Sequence, residues 1–314
     1  MSETVFYPGA HVESLGDKAA YVMATTGESV SYRELHERAN QIAHLFKSHG
    51  LGPGDHVAWC MENHPWYLSL AWGAHYAGLY FTAISSRLTA EEVAYIVNDC
   101  EAKIFVASPY MAEVAEAIID DTPAVQHRFA VDEPFGSYVS LEAAVALQST
   151  DDIENAVAGM DMLYSSGTTG RPKGVLAALT GDPLGTPEPL TILVTMLFGA
   201  NTDTIYLSPA PLYHAAPLRF CMQVQRAGGT VIVMDHFEPE ETLRLIEKHR
   251  VTFGQFVPTM FVRMLKLPDD VRRRYDTSSL QVAVHAAAPC PIEVKERMID
   301  CGGRCCTSTT PAPR

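Results

Sequence analysis

The densest chemistry in this chain lies in Tyr164-Ser165-Ser166-Gly167-Thr168-Thr169-Gly170-Arg171-Pro172-Lys173-Gly174. Three glycines let the backbone turn tightly and approach a ligand closely. Successive amides in such a turn form an anion-binding nest. The hydroxyls of Ser165, Ser166, Thr168 and Thr169 add donors for phosphate oxygens. Lys173 supplies a point charge, and Pro172 stiffens the approach to it. The combination suits a polyphosphate tail. It is not a Walker A loop, because the spacing G-x-x-x-x-G-K-[ST] is absent. A Ser/Thr/Gly cluster is also what an ordinary polar surface turn is made of.

The elements that must position this loop follow an alternating pattern. Ser31-Tyr32-Arg33-Glu34 reads as a capping box, with apolar residues at helical spacing through Phe46 and a stop at Gly50. Val57 to Cys60, Tyr80 to Ile84 and Lys103 to Ala107 read as buried strands. Pro65 opens a helix toward Gly78, and Thr89-Ala90-Glu91-Glu92 caps another that runs to Asp99. Further along, Thr230 to Met234, Val251 to Val257 and Leu280 to Val284 are strand-like. Glu238 to His249 is helical, acidic first and basic last. Leu176 to Pro189 reads as an irregular crossing segment. The expectation is an α/β fold with largely parallel sheets flanked by helices.

The string from Tyr164 to Gly174 resembles the signature phosphate loop of the acyl-adenylate-forming superfamily, which includes acyl-CoA synthetases, peptide-synthetase adenylation domains and beetle luciferases. The resemblance implies that Ser165, Ser166, Gly167, Thr168, Thr169, Gly170 and Lys173 bind the β- and γ-phosphates of ATP. Pro211-Leu212-Tyr213-His214 resembles the family's P-L-x-H segment, which implies that His214 lines the acyl-substrate site. Phe253 to Met260 resembles the strand leading to the acyl pocket, and so implicates Phe256. There the plain alternative is a core phenylalanine. His285 to Pro291 resembles the adenine-packing loop and implicates Ala287, Ala288 and Pro289. The fold implied is the large N-terminal domain of adenylate-forming enzymes, occupying residues 1–300. The activity implied is ATP-dependent acyl-CoA ligation, with a fatty acid as first choice of carboxylate and a steroid, bile-acid or short carboxylate as alternative. ATP, Mg²⁺ and coenzyme A are the implied co-substrates, none tightly bound.

After Asp300 the character changes. Residues 301–314 lose periodicity and crowd three cysteines, Cys301, Cys305 and Cys306. Three readings apply: a disordered tail, a metal site without a second ligand cluster, or a frameshift. Reverse-translated with GC-rich codons, some of them chosen, and read two bases on, this stretch yields a Y-x-G-T-E string like the family's next motif. The resemblance then implies that the metal-holding Glu, the ribose-binding Asp and the C-terminal-domain Lys lie outside residues 1–314. On that reading no catalytic set is complete, the small C-terminal domain is absent and no metal ligand is assigned. Turnover by these residues is expected to be negligible. The rival reading is a non-catalytic remnant with weak nucleotide binding.

Composition narrows the classes. The 314 residues are 47% hydrophobic, enough for a sizeable core, and 19% charged, too few for a disordered chain. A formal net charge of -14 disfavours nucleic acid as a partner, so any polyanion must be held by local features. The N-terminus does not read as a secretory signal, and no apolar run reaches the ~18 residues that span a bilayer. A soluble cytoplasmic protein is expected, with peripheral membrane contact left open. Of the seven cysteines, Cys60, Cys100, Cys221 and Cys290 read as buried thiols.

Overall fold

Buried parallel sheets need strands that are apolar on both faces, and this chain supplies them. The computed structural model describes residues 5–165, 172–285, 288–302 and 306–308. In chain order the strands are β1 (Ala19–Met23), β2 (Ser29–Ser31), β3 (His56–Cys60), β4 (Tyr80–Ile84), β5 (Ile104–Ala107), β6 (His127–Ala130), β7 (Val139–Ser140), β8 (Met160–Asp161), β9 (Leu163–Ser165) and β10 (Lys173–Val175). They continue with β11 (Ile205–Ser208), β12 (Thr230–Val233), β13 (Phe253–Phe256), β14 (Val282–His285) and β15 (Cys306–Ser308). Every residue of β4, β5 and β13 is buried.

The chain divides into two compact units. The first comprises mainly Arg33–Thr186 and Leu212–Ala215. Its sheet has the order β7-β6-β5-β3-β4-β8, and every pair is parallel. The chain runs from β3 to β4 on one side, then crosses to β5 on the other. That reversal is a topological switch point, the place where open α/β sheets gather ligand-facing loops. The helix Ala90–Asp99 starts where its sequence says. The Thr89 side chain accepts the Glu92 amide and Glu92 reaches back, completing a capping box. Its buried residues Val93, Ala94, Ile96 and Val97 pack in one cluster with Ala58, Ile84 and Phe105. The helix Trp66–Tyr76 is buried from Tyr67 onward and ends at Tyr76, two residues short of Gly78.

The second unit comprises Phe6–Tyr32, Pro187–Pro211 and the chain from Ala216 on. Its sheet order is β15-β14-β13-β11-β12-β1-β2, parallel except where β2 returns against β1. The helix Pro239–His249 closes on Arg250 in the left-handed region. The Val251 amide still bonds to Ile246 O of that helix, at 3.0 Å. The strand expected from Val251 therefore begins at Phe253. Arg226 is 2% exposed. Its Nη2 meets Glu188 Oε1 at 2.7 Å and its Nη1 donates to Phe6 O at 2.7 Å. Cys60, Cys100 and Cys221 are buried as expected, whereas Cys290 is half-buried. It packs partly against the core cluster that contains Phe261 and Met264.

Candidate functional site

Two strands of the first unit flank the glycine- and hydroxyl-rich string. β9 and β10 pair antiparallel with Ser165 opposite Lys173, Tyr164 opposite Gly174 and Leu163 opposite Val175. Lys173 is exposed. The backbone of Ser165 lies in β9. Ser166, Gly167, Thr168, Thr169 and Gly170 lie outside the described residues.

Both ends of the hairpin are tied down. On the entry side, β8 pairs with β4, and Thr82 Oγ1 donates to Met162 O at 2.8 Å. On the exit side, the Tyr80 hydroxyl donates to Ala177 O at 2.8 Å and accepts Leu179 N at 3.0 Å. A third tie comes from Tyr164, whose hydroxyl donates to Asp99 Oδ2 at 2.5 Å. Burial of the ring, and then the Asp99 carboxylate, push the Tyr164 phenol far above its ordinary range, so it remains a donor. Asp99 ends the Ala90–Asp99 helix, where the dipole disfavours a carboxylate by about 0.3–1 kcal/mol. A charge-assisted hydrogen bond, even partly screened at the surface, offsets that cost. Gly174 completes the arrangement. A Cβ there would sit 2.5 Å from Met162 Cε and 3.0 Å from Tyr164 Cζ, so the tyrosine ring crosses the hairpin only over a glycine.

Beside Pro172 lies a groove of about 740 Å³, lined among others by Glu91, Glu92, Tyr95, Asn98 and Asp121. Its carboxylates repel a polyphosphate, so that side of the hairpin does not compete with Lys173 for an anionic ligand.

His214 belongs to the same unit. Pro209 and Pro211 have no amide hydrogen. The Leu212 amide, buried, donates to Asn63 Oδ1 at 2.8 Å, which ties the segment to the loop after β3. The rings of Tyr213 and His214 lie 4.3 Å apart. His214 is partly open to solvent. Lost hydration on its packed side, and then the charge of Arg87, lower its pKa and favour the neutral imidazole. Asn63 follows β3 and Arg87 follows β4, so both stand at the carboxyl ends of central strands. The sequence reading missed both. Arg87 carried only the signal of a cation just past a strand.

In the second unit, β13 and β14 run parallel with Phe256 opposite His285. Phe256 is buried in one cluster with Ala210, Leu243, Met260, Phe261, Met264 and Ala283, and its ring is 5.4 Å from that of Phe261. That is how a core residue packs. Ala288 and Pro289 are exposed just beyond the β14 end, while Ala287 lies outside the described residues. Gln255 is 2% exposed and its Nε2 donates to Phe256 O at 2.9 Å.

Among the described residues no group of three or more His, Cys, Asp or Glu side chains is arranged to hold a metal ion.

The AMP-binding enzyme profile matches residues 10–309. The chain belongs to the AMP-binding enzyme family. Within that family it is 33% identical over 281 residues to a feruloyl-CoA synthase of Amycolatopsis sp, covering 88% of this chain and 53% of the relative. It is 28% identical over 282 residues to the long-chain-fatty-acid–CoA ligase FadD13 of Mycobacterium tuberculosis, covering 87% of this chain and 52% of the relative. The chain thus spans about half the length of these relatives. Among solved structures, ATP-bound MatB from Rhodopseudomonas palustris superposes with a TM-score of 0.78 at 26% identity, covering 94% of this chain and 57% of MatB. The α/β architecture expected from the sequence is that of the AMP-binding family's N-terminal domain. No helix among the described residues is long and apolar enough to cross a membrane.

Proposed function

We propose that this chain forms the nucleotide- and acyl-facing part of an ATP-dependent acyl-CoA ligase. In that reaction a carboxylate attacks the α-phosphate of ATP, giving acyl-AMP and pyrophosphate. The thiol of coenzyme A then displaces AMP. The roles assigned are those the residue types suit. Ser165 to Gly170 and Lys173 hold the departing phosphates, Ala287, Ala288 and Pro289 bracket adenine, and His214 borders the acyl group. A neutral His214 accepts or donates a hydrogen bond near a carboxylate without trapping it as an ion pair.

The observation that carries the reading is the family match spanning the glycine- and hydroxyl-rich string, with Lys173 exposed on the hairpin that frames it. A long acyl chain is the first substrate assigned, in line with the similarity to FadD13. The 33% identity to a feruloyl-CoA synthase favours an aromatic propenoate as the second.

Calorimetry with ATP tests the binding half. The 314-residue chain should bind ATP, and Lys173→Ala should weaken it about ten- to hundredfold, the worth of one charge-assisted phosphate contact. Absence of ATP binding by the unaltered chain would sink the assignment. A pyrophosphate-release assay with palmitate, ferulate and cholate tests the rest. Acyl-dependent release with one of the three identifies the carboxylate class, and release that ignores all of them would refute the acyl reading.

A further inference from the structure

We propose that Tyr164 and Asp99 form a positioning pair that fixes the β9–β10 hairpin, and through it Lys173, for contact with a nucleotide's β- and γ-phosphates. The inference rests on the nucleotide-binding reading above and adds residues to which that reading gave no role.

Three observations converge on it. First, Tyr164 is the residue immediately before the first hydroxyl of the string, and its partner across the hairpin is Gly174, immediately after Lys173. Anything that orients Tyr164 and Gly174 therefore orients the Ser165–Lys173 pair one step further along. Second, the Tyr164 side chain does both jobs at once. Its ring lies against Gly174, where a Cβ would come within 3.1 Å of the phenol oxygen, and that oxygen reaches Asp99 at 2.5 Å. A glycine opposite and an acceptor at the far end leave the ring one resting place. Third, Asp99 stands at the helix end where a carboxylate is disfavoured, and the first turn of that helix already holds Glu91 and Glu92. A basic residue is what the dipole favours there. The acid suits that position as the acceptor for Tyr164.

A flexible Lys173 would lose side-chain and backbone freedom on meeting a phosphate. Fixing the hairpin beforehand removes part of that cost, which is how preorganisation raises affinity. Tyr164 touches no ligand in this scheme. It acts through the strand pair, and its effect must appear only for ligands that extend to Lys173.

The test uses the intact chain and calorimetry with three probes: ATP, inorganic tripolyphosphate and AMP. Tyr164→Phe keeps the ring over Gly174 and deletes the hydroxyl. It should weaken ATP and tripolyphosphate about three- to tenfold, since the bond is partly screened at the surface, and leave AMP within about twofold. Asp99→Ala should match it, and the double variant should be no weaker than either single one, because both remove the same bond. Asp99→Asn keeps an acceptor and should recover part of the loss. Gly174→Ala should weaken ATP further by displacing the ring. Equal weakening of ATP and AMP would indicate general damage and overturn the proposal. So would unchanged ATP affinity in Tyr164→Phe, or additive losses in the double variant. If the unaltered chain binds no ATP, the functional reading itself fails. If it binds ATP and Tyr164→Phe binds it equally well, only the positioning role fails.

Discussion

Replacing Gly159 by alanine should destabilise the first unit by about 2–4 kcal/mol. Gly159 immediately precedes β8, the strand that leads into the hairpin. A Cβ there would lie 2.4 Å from Leu79 O, 2.7 Å from Ala74 O and 2.8 Å from Leu79 N. All three are backbone atoms, one in the last turn of the helix Trp66–Tyr76 and two in the residue before β4, so no side chain can rotate away. Relief requires the backbone to move by roughly 1 Å to regain ordinary contact. That movement strains two hydrogen bonds with the buried His75. One runs from Gly159 N to His75 O at 2.8 Å, and the other joins His75 Nδ1 to Gly159 O at 2.6 Å. Overpacking costs about 1–3 kcal/mol and each weakened bond up to about 1 kcal/mol, without strict additivity. Trp59, Trp66 and Trp72 all lie in this unit, so tryptophan fluorescence during urea unfolding reports it selectively. The control is Gly52→Ala, where an added Cβ meets nothing within 4 Å. If Gly159→Ala unfolds at the same urea concentration as the control, the close-approach argument is wrong.

Two further outcomes are expected. Burial first of all lowers the pKa of His11, His36, His56, His214 and His285 below the ordinary histidine value. Between those lowered values and about 6.5 the unfolded chain binds more protons than the folded one, so stability rises with pH there and is lost on acidification. Urea midpoints at about pH 5.5 and about pH 7.5 check this, and a higher midpoint at the acidic value would contradict it. In the second unit, Glu188→Ala leaves the buried Arg226 guanidinium without its carboxylate. Because Glu188 is partly exposed and Arg226 keeps Phe6 O, the loss should be about 1.5–3 kcal/mol, below that for a fully buried pair. Faster hydrogen exchange in the helix Ala215–Arg226, largely restored in Glu188→Gln, is the readout.

Local chemistry was the legible part of this molecule. The Thr89 capping box needs only residues three apart, and it stands where its sequence puts it. β4, read as Tyr80 to Ile84, has those bounds because four apolar or aromatic residues around Thr82, between turns, leave little choice. Strand ends shifted where a neighbour claimed an amide, as the Pro239–His249 helix claimed that of Val251. The contacts that matter to the candidate site join distant residues and left little trace. Asp99 and Tyr164 are 65 positions apart, and Asn63 and Leu212 are 149 apart. The one local clue to the first was an acid at the wrong end of a helix. Phe256 reads as apolar strand in sequence, and its packing with Leu243, Met260 and Met264 was not visible there.

The pairing of β1 with β12 has a consequence for biosynthesis. Tyr21 aligns with Val231, so β1 waits for a neighbour synthesised 210 residues later. At about 5–20 residues per second the ribosome takes roughly 10–40 s to deliver it. Meanwhile nearly all of the first unit, Arg33 to Thr186, has emerged. The early hairpin of β1 and β2 thus carries an unpaired edge until β12 arrives.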